Sequence, residues 1–294
     1  MSRRILLFLG TNLATVLGLS LLLHLLGAGA WLSERGIDYP RLLVFSLVWG
    51  FGGAFISLAV SRIVAKMAMR VETLDPSGDA RFPGLVEEVH DLARQAGLPA
   101  MPEVGVYDSP ELNAFATGPT RSRALVAVST GLLRRMDRDQ VRGVLAHEVA
   151  HVANGDMVTM TLLQGVLNAF ALFFARVVGH AIAQAVSEEN RNTVRFAATF
   201  ALEIALGLAG SVAVAAFSRR REFRADAGGA RLAGRTPMVR ALQGLMADMA
   251  RRTEAEPAPA GLAAFKISGK GSGLAAWFST HPPLERRIAA LQAS

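Results

Sequence analysis

Residues 137–156 read DRDQVRGVLAHEVAHVANGD. Asp137 has the side chain of a helix N-cap, and Gln140 follows three positions on, as in a capping box, just before an apolar run. The motif His147-Glu148-Val149-Ala150-His151 therefore lies well inside a helix. Residues four apart on a helix differ by about 40° around the axis and about 6 Å along it, so His147 and His151 can reach one ion from the same face. Glu148 stands beside them. The pattern suits metal-assisted peptide hydrolysis, with two imidazoles holding Zn²⁺ and the adjacent Glu taking the proton of an attacking water. Val144, Leu145, Val149 and Val152 make the helix largely buried, and buried imidazoles need partners.

The pattern alone arises by chance in about one chain in a hundred of this size, so further ligands have to be sought. The chain has no Cys, which excludes thiolate sites and disulfides and leaves His, Asp or Glu as the third protein ligand of a catalytic zinc. Glu222 and Asp226, four apart in Arg221-Glu222-Phe223-Arg224-Ala225-Asp226, offer one carboxylate for the metal and one to orient a ligand imidazole. The bland alternative is an i,i+4 surface pattern among arginines.

Hydrophobic residues make up 51% of the 294, yet 31 Lys+Arg against 24 Asp+Glu leave a charge of +7, so apolar and basic blocks alternate. Residues 5–30 are apolar except for His24, and residues 42–60 carry no charge; each exceeds or approaches the roughly 20 residues that cross a hydrocarbon core. Arg3-Arg4 and Ala28-Gly29-Ala30 resemble a cleaved signal peptide, but the apolar stretch is longer than such a core, which favours an uncleaved anchor. Residues 157–186 and 196–217 are weaker candidates for a second hairpin, interrupted by Arg176, His180 and Glu203. With four spans, Arg3-Arg4, Arg62-Lys66-Arg70 and Arg219-Arg220-Arg221-Arg224 share one side, the cytoplasm by the positive-inside rule. Basic residues placed at the ends of apolar runs point to a lipid bilayer and not to nucleic acid.

Between the hairpins the pattern is globular. Leu85, Val89 and Leu92 define an amphipathic helix ending at Gly97 and Pro99, and residues 103–107 and 124–129 read as strands. Asn113-Ala114-Phe115-Ala116 reads as a third, edge strand. After Phe217, helices are expected near 222–233 and 238–252, then a flexible stretch at 254–261 and a mobile loop at 266–273. Spacing across the third and fourth apolar segments, turning near Arg191, puts Arg176 and Glu203 within about one helical turn of depth and suggests an ion pair, the alternative being that Arg176 snorkels or meets backbone carbonyls while Glu203 is protonated.

The HEVAH motif, Asn154-Gly155-Asp156, two apolar segments, the Glu222–Asp226 box and His281-Pro282-Pro283, in this order, resemble the HtpX family of bacterial heat-shock membrane proteases, which is related to the eukaryotic membrane protease that trims prenylated proteins. The resemblance runs from the first span to Arg287. It implies one zinc per chain held by His147, His151 and Glu222, Glu148 as catalytic base and Asp226 as partner of a ligand His. It further implies that His281, with Arg287, stabilises the transition state, and that Asn113, Ala114, Phe115 and Ala116 bind the substrate backbone. Read without it, His281-Pro282-Pro283 says only that a helix begins near Leu284.

The expectation is thus a mainly α membrane protein: four transmembrane helices and a zincin-like α+β catalytic domain. Residues 1–66 form the first hairpin, 67–156 the first part of the catalytic domain, 157–217 the second hairpin and 218–294 the second part. The resemblance implies a multi-pass protein of the bacterial inner membrane, with its catalytic domain and both termini cytoplasmic, that cleaves misfolded or membrane proteins. Two rivals stand beside it. A zinc-braced adaptor without activity would need no Glu148, and a channel using Arg176, His180 and Glu203 fits poorly with so large a soluble insert.

Overall fold

The structure, a computed structural model, describes residues 38–255 and 279–293. The first apolar stretch, 5–30, and the loop expected at 266–273 lie outside these residues, as does all of 254–261 except Glu254 and Ala255, which end a helix. In chain order the elements are α1 (Tyr39–Met69), β1 (Glu72–Thr73), α2 (Leu85–Gln95), β2 (Glu103–Tyr107), β3 (Ala114–Thr117), β4 (Leu125–Ser129) and α3 (Thr130–Arg135). There follow α4 (Arg138–Asn154), α5 (Asp156–Gln184), α6 (Glu188–Ala233), α7 (Arg235–Ala255) and α8 (Leu284–Ala293).

Two compact units divide them. One comprises Leu58–Val158 and the described residues from Ala215 onward. Its sheet has the order β1-β2-β4-β3, with β2 and β4 parallel and the outer strands antiparallel to their neighbours. Val104, Val106, Val126 and Val128 line one face and pack with Leu85, Val89 and Leu92 of α2 and Val144, Leu145, Val149 and Val152 of α4. Burying each such side chain contributes about 1.5–3 kcal/mol, so the core, far more than the cap, holds the motif helix in place. The cap is nonetheless complete: Asp137 accepts from the Gln140 backbone at 3.0 Å and Gln140 Oε1 from the Asp137 backbone at 3.2 Å. β1, two residues long, gave no period to read and was not expected.

The other unit comprises the described residues up to Ser57 together with Thr159–Val214. Its helices belong to the three, α1, α5 and α6, that among the described residues are long and apolar enough to cross a membrane. Leu43 packs against Phe173 and Val177 inside the unit, while Val48, Trp49, Ile56, Phe196, Phe200 and Leu208 are exposed, the distribution that lipid as solvent permits. The turn comes at residues 185–187, slightly before Arg191.

Arg176 and Glu203 form the expected ion pair, with Arg176 Nη1 donating to Glu203 Oε1 at 2.7 Å. The same guanidinium lies 4.9 Å from the centre of the Phe45 ring and donates to the Leu172 carbonyl at 3.1 Å. An unpaired charge near the centre of a membrane helix costs about 2.5–3.5 kcal/mol on insertion scales. Arg176→Glu and Glu203→Arg should therefore each lower the yield of folded protein, and the swapped double variant should recover part of it. Recovery stays incomplete because the contact with Phe45 requires the cation at 176. A swap no better than the worse single variant would show that the pair does not hold this hairpin together.

One expectation fails. The sequence suggested a separate helix near 222–233, but α6 runs unbroken for 46 residues from the hairpin turn through Glu222 and Asp226. At 1.5 Å per residue it is about 69 Å long, over twice the hydrocarbon thickness, and its residues from Ala215 onward belong to the unit that holds the sheet. No Pro interrupts it, and the arginines after Phe217 are good helix formers.

Candidate metal and catalytic site

The site forms where α6 crosses α4. A Cβ on Gly228 would lie 2.8 Å from Ala150 Cβ, and one on Gly229 would lie 3.1 Å from the His147 backbone nitrogen. The two glycines thus let α6 approach the motif helix within one turn of Asp226, which carries Glu222 up to the imidazoles. His147 and His151 present Nε2 atoms 3.1 Å apart. Glu222 Oε2 lies 3.5 Å from His147 Nε2, and Oε1 lies 3.4 Å from His151 Nε2.

Each imidazole is oriented from behind. His147 Nδ1 faces Asp226 Oδ1 at 2.9 Å and His151 Nδ1 donates to Asp156 Oδ2 at 2.6 Å, which leaves both Nε2 lone pairs for the shared point. Asp226 is held in turn by Arg287, whose Nε and Nη2 donate to its two oxygens at 2.8 and 2.6 Å. Arg287 is 5% exposed and brings Nη1 to 3.2 Å from Glu222 Oε2. His281 is mostly exposed, with Nδ1 2.9 Å from the same oxygen.

Burial alone would lower His147, but Asp226 and Glu222 outweigh it and raise its pKa to about 9. His151 is likewise raised against its burial, by Asp156 and Glu222. Burial would push Glu222 up, yet the imidazoles around it hold the carboxyl far below the usual carboxylate range. The surroundings therefore favour positive charge at the common point. Both Glu222 oxygens are buried without a well-formed hydrogen bond, despite the ion-pair distances to His281 and Arg287. A buried anion with both oxygens unsatisfied beside two imidazole lone pairs is a donor set that a metal ion completes, and His147, His151 and Glu222 offer ligand atoms within 4.8 Å of one another.

The chain thus brings together His147, His151, Glu222, Asp226, His281 and Arg287, with Glu148 beside them and only partly buried. Ala114, Phe115 and Ala116 lie in β3, an outer strand against α4 that pairs only with β4 among the described residues, and Asn113 precedes it. Asp156 was missed as a partner of His151. Its signal was the preceding Gly155, a helix stop that turns the next residue back: Gly155 caps α4 in the left-handed region at φ 70°.

The model of peptidase family M48 matches residues 79–294. The chain is 50% identical over 299 residues to the protein named protease HtpX homolog of Methylacidiphilum infernorum, covering 99% of both chains. It is also 50% identical over 296 residues to the protease HtpX of Thioalkalivibrio sulfidiphilus, again over 99% of both. Among solved structures, that of S. mikatae Ste24p superposes with a TM-score of 0.62 at 17% identity, over 99% of this chain and 67% of that one, a likeness of fold. The chain belongs to peptidase family M48, as a membrane metalloprotease of the HtpX family.

Proposed function

We propose that the protein is a zinc endopeptidase with one Zn²⁺ per chain, bound by His147, His151 and Glu222. The observation that carries this is the ligand spacing. Bonds of about 2.0–2.2 Å in a tetrahedron put ligand atoms about 3.3–3.6 Å apart; the two Nε2 atoms are slightly closer, at 3.1 Å, and each lies within that range of one Glu222 oxygen, at 3.5 Å from Oε2 for His147 and 3.4 Å from Oε1 for His151. Bound there, zinc would acidify a water and polarise the substrate carbonyl.

The chain's own residues do the rest. Glu148 accepts the proton of the attacking water and returns it to the departing amine. His281, exposed beside the donor set, donates to the oxyanion, while Arg287 adds its charge from behind and holds Asp226 and Glu222 in place. The outer edge of β3, from Ala114 to Ala116 with Asn113 before it, takes the substrate backbone as an added strand. An extended segment binds there without demands on its side chains, which suits misfolded or membrane proteins under quality control. A non-catalytic, zinc-braced adaptor is disfavoured by Glu148, because a brace needs ligands and no base.

On this reading the chain crosses the bacterial inner membrane four times, counting residues 5–30, with both termini and the catalytic domain cytoplasmic, a side supported by the basic residues that flank the apolar runs. The domain plan is 1–66, 67–156, 157–217 and 218–294, alternating membrane hairpin and catalytic segment. Tags at Ser2 and Ser294 are then expected to react only after the membrane is opened from the cytoplasmic side. Labels at Glu188-Glu189-Asn190, an exposed first turn of α6, should react from outside. Protection of that turn with both termini inside would mean that the second hairpin does not cross.

A further inference from the structure

We propose that Asp156 and Arg224 form a positioning pair for the ligand His151, the counterpart of the Asp226–Arg287 pair behind His147. The inference rests on the metal reading of His147, His151 and Glu222. If α4 continued past Asn154, residue 156 would point about 140° away from His151 around the axis. The left-handed Gly155 breaks the helix instead, and Asp156 becomes the first residue of α5 with its carboxylate turned back onto the imidazole.

Asp156 is 1% exposed and uses both oxygens: Oδ2 accepts from His151 Nδ1 at 2.6 Å and Oδ1 from Arg224 Nη2 at 2.5 Å. Arg221 Nε lies 3.8 Å from Oδ2. A carboxylate so buried needs a cation, and Arg224 supplies one from a side chain that is itself 53% exposed. The arginines after Phe217 read in sequence as an orientation signal for the membrane. Two of them also neutralise the anion that fixes the tautomer of a metal ligand.

The pair also joins the ligand helices. Arg224 stands two residues beyond Glu222 on α6, Asp156 opens α5, and His151 closes the motif on α4, so one chain of charge-assisted hydrogen bonds sets the register of the third ligand against the second. This arrangement gives each imidazole its own carboxylate and each carboxylate its own arginine. It predicts that Asp156 acts on the metal through His151 and that Arg224 acts only through Asp156.

The test uses the full chain in detergent with Asp156→Ala, Arg224→Ala, Arg224→Lys and the double alanine variant. Zinc affinity is measured by chelator competition, geometry by the visible absorption of the Co²⁺ form, and folding by melting of the metal-free proteins. Asp156→Ala is expected to weaken zinc about 10–100-fold and to shift the Co²⁺ bands. Arg224→Ala should weaken it less, Arg224→Lys should restore most of the loss, and Arg224→Ala should add nothing once Asp156 is gone. Wild-type affinity and spectrum in Asp156→Ala, or an undiminished effect of Arg224→Ala in its absence, would overturn the proposal. If Asp156→Ala does not fold, the Arg224 pair decides: affinity unchanged in Arg224→Ala, or lost and not recovered by Lys, counts against it. A wild-type chain that binds no metal is a separate outcome, which defeats the metal reading itself.

Discussion

Glu148→Gln is expected to keep its zinc and to lose peptide-bond hydrolysis, with kcat down about 10²–10⁴-fold. The amide has nearly the size and shape of the carboxylate, so His147 and His151 on either side in the motif stay in register on α4. Their orientation depends on Asp226 and Asp156, not on Glu148. What disappears is the group that accepts a proton from the attacking water. Metal content measured beside cleavage of casein, for wild type and variant, separates the two effects. Turnover near that of the wild type would move the base to another residue. Loss of zinc together with activity would make Glu148 a structural member of the site.

Glu222→Ala is expected to fail at the earlier step, metal binding. Two imidazoles alone make a poor zinc site, and the loss should exceed the roughly 10–100-fold that follows removal of a ligand's hydrogen-bond partner. Glu222 is also the anion on which His281 and Arg287 converge, so its removal leaves Arg287 with Asp226 as its remaining carboxylate among these partners. Breaking a buried charge constellation on one side costs about 3–5 kcal/mol, and a lowered melting temperature should accompany the lost metal. Metal analysis after dialysis checks the first effect and a thermal melt of the metal-free proteins the second. Full zinc occupancy in Glu222→Ala would shift the third ligand elsewhere, with Asp226 the first suspect. His151→Ala should lower zinc affinity in the same assay.

Much of this was legible in the residues because it is local. The capping box at Asp137 and Gln140, the period of Leu85, Val89 and Leu92, the strands at 103–107 and 124–129 and the facing charges of Arg176 and Glu203 each follow from spacings within one element or one hairpin. The boundary between the hairpin and the ligand helix was not, because a break in a helix is signalled by Gly, Pro or a cap. The stretch from Phe217 to Glu222 has no Gly or Pro, and its one capping residue type, Ser218, lies buried inside the continuous helix, so the backbone simply continues.

By itself the sequence determined that one helix would present His147, Glu148 and His151 together, because four residues make about one turn whatever surrounds them. It left Glu222 and Asp226 interchangeable, since both occupy the same face of their helix. Tertiary structure separated them: the crossing at Gly228 and Gly229 sets Glu222 against both Nε2 atoms and Asp226 against Nδ1 of His147. It also decided that Arg287, 140 residues beyond His147, would hold Asp226, and that Asp156 would turn back onto His151. Contacts of that kind depend on how helices far apart in the chain pack, and no period along a single helix encodes them.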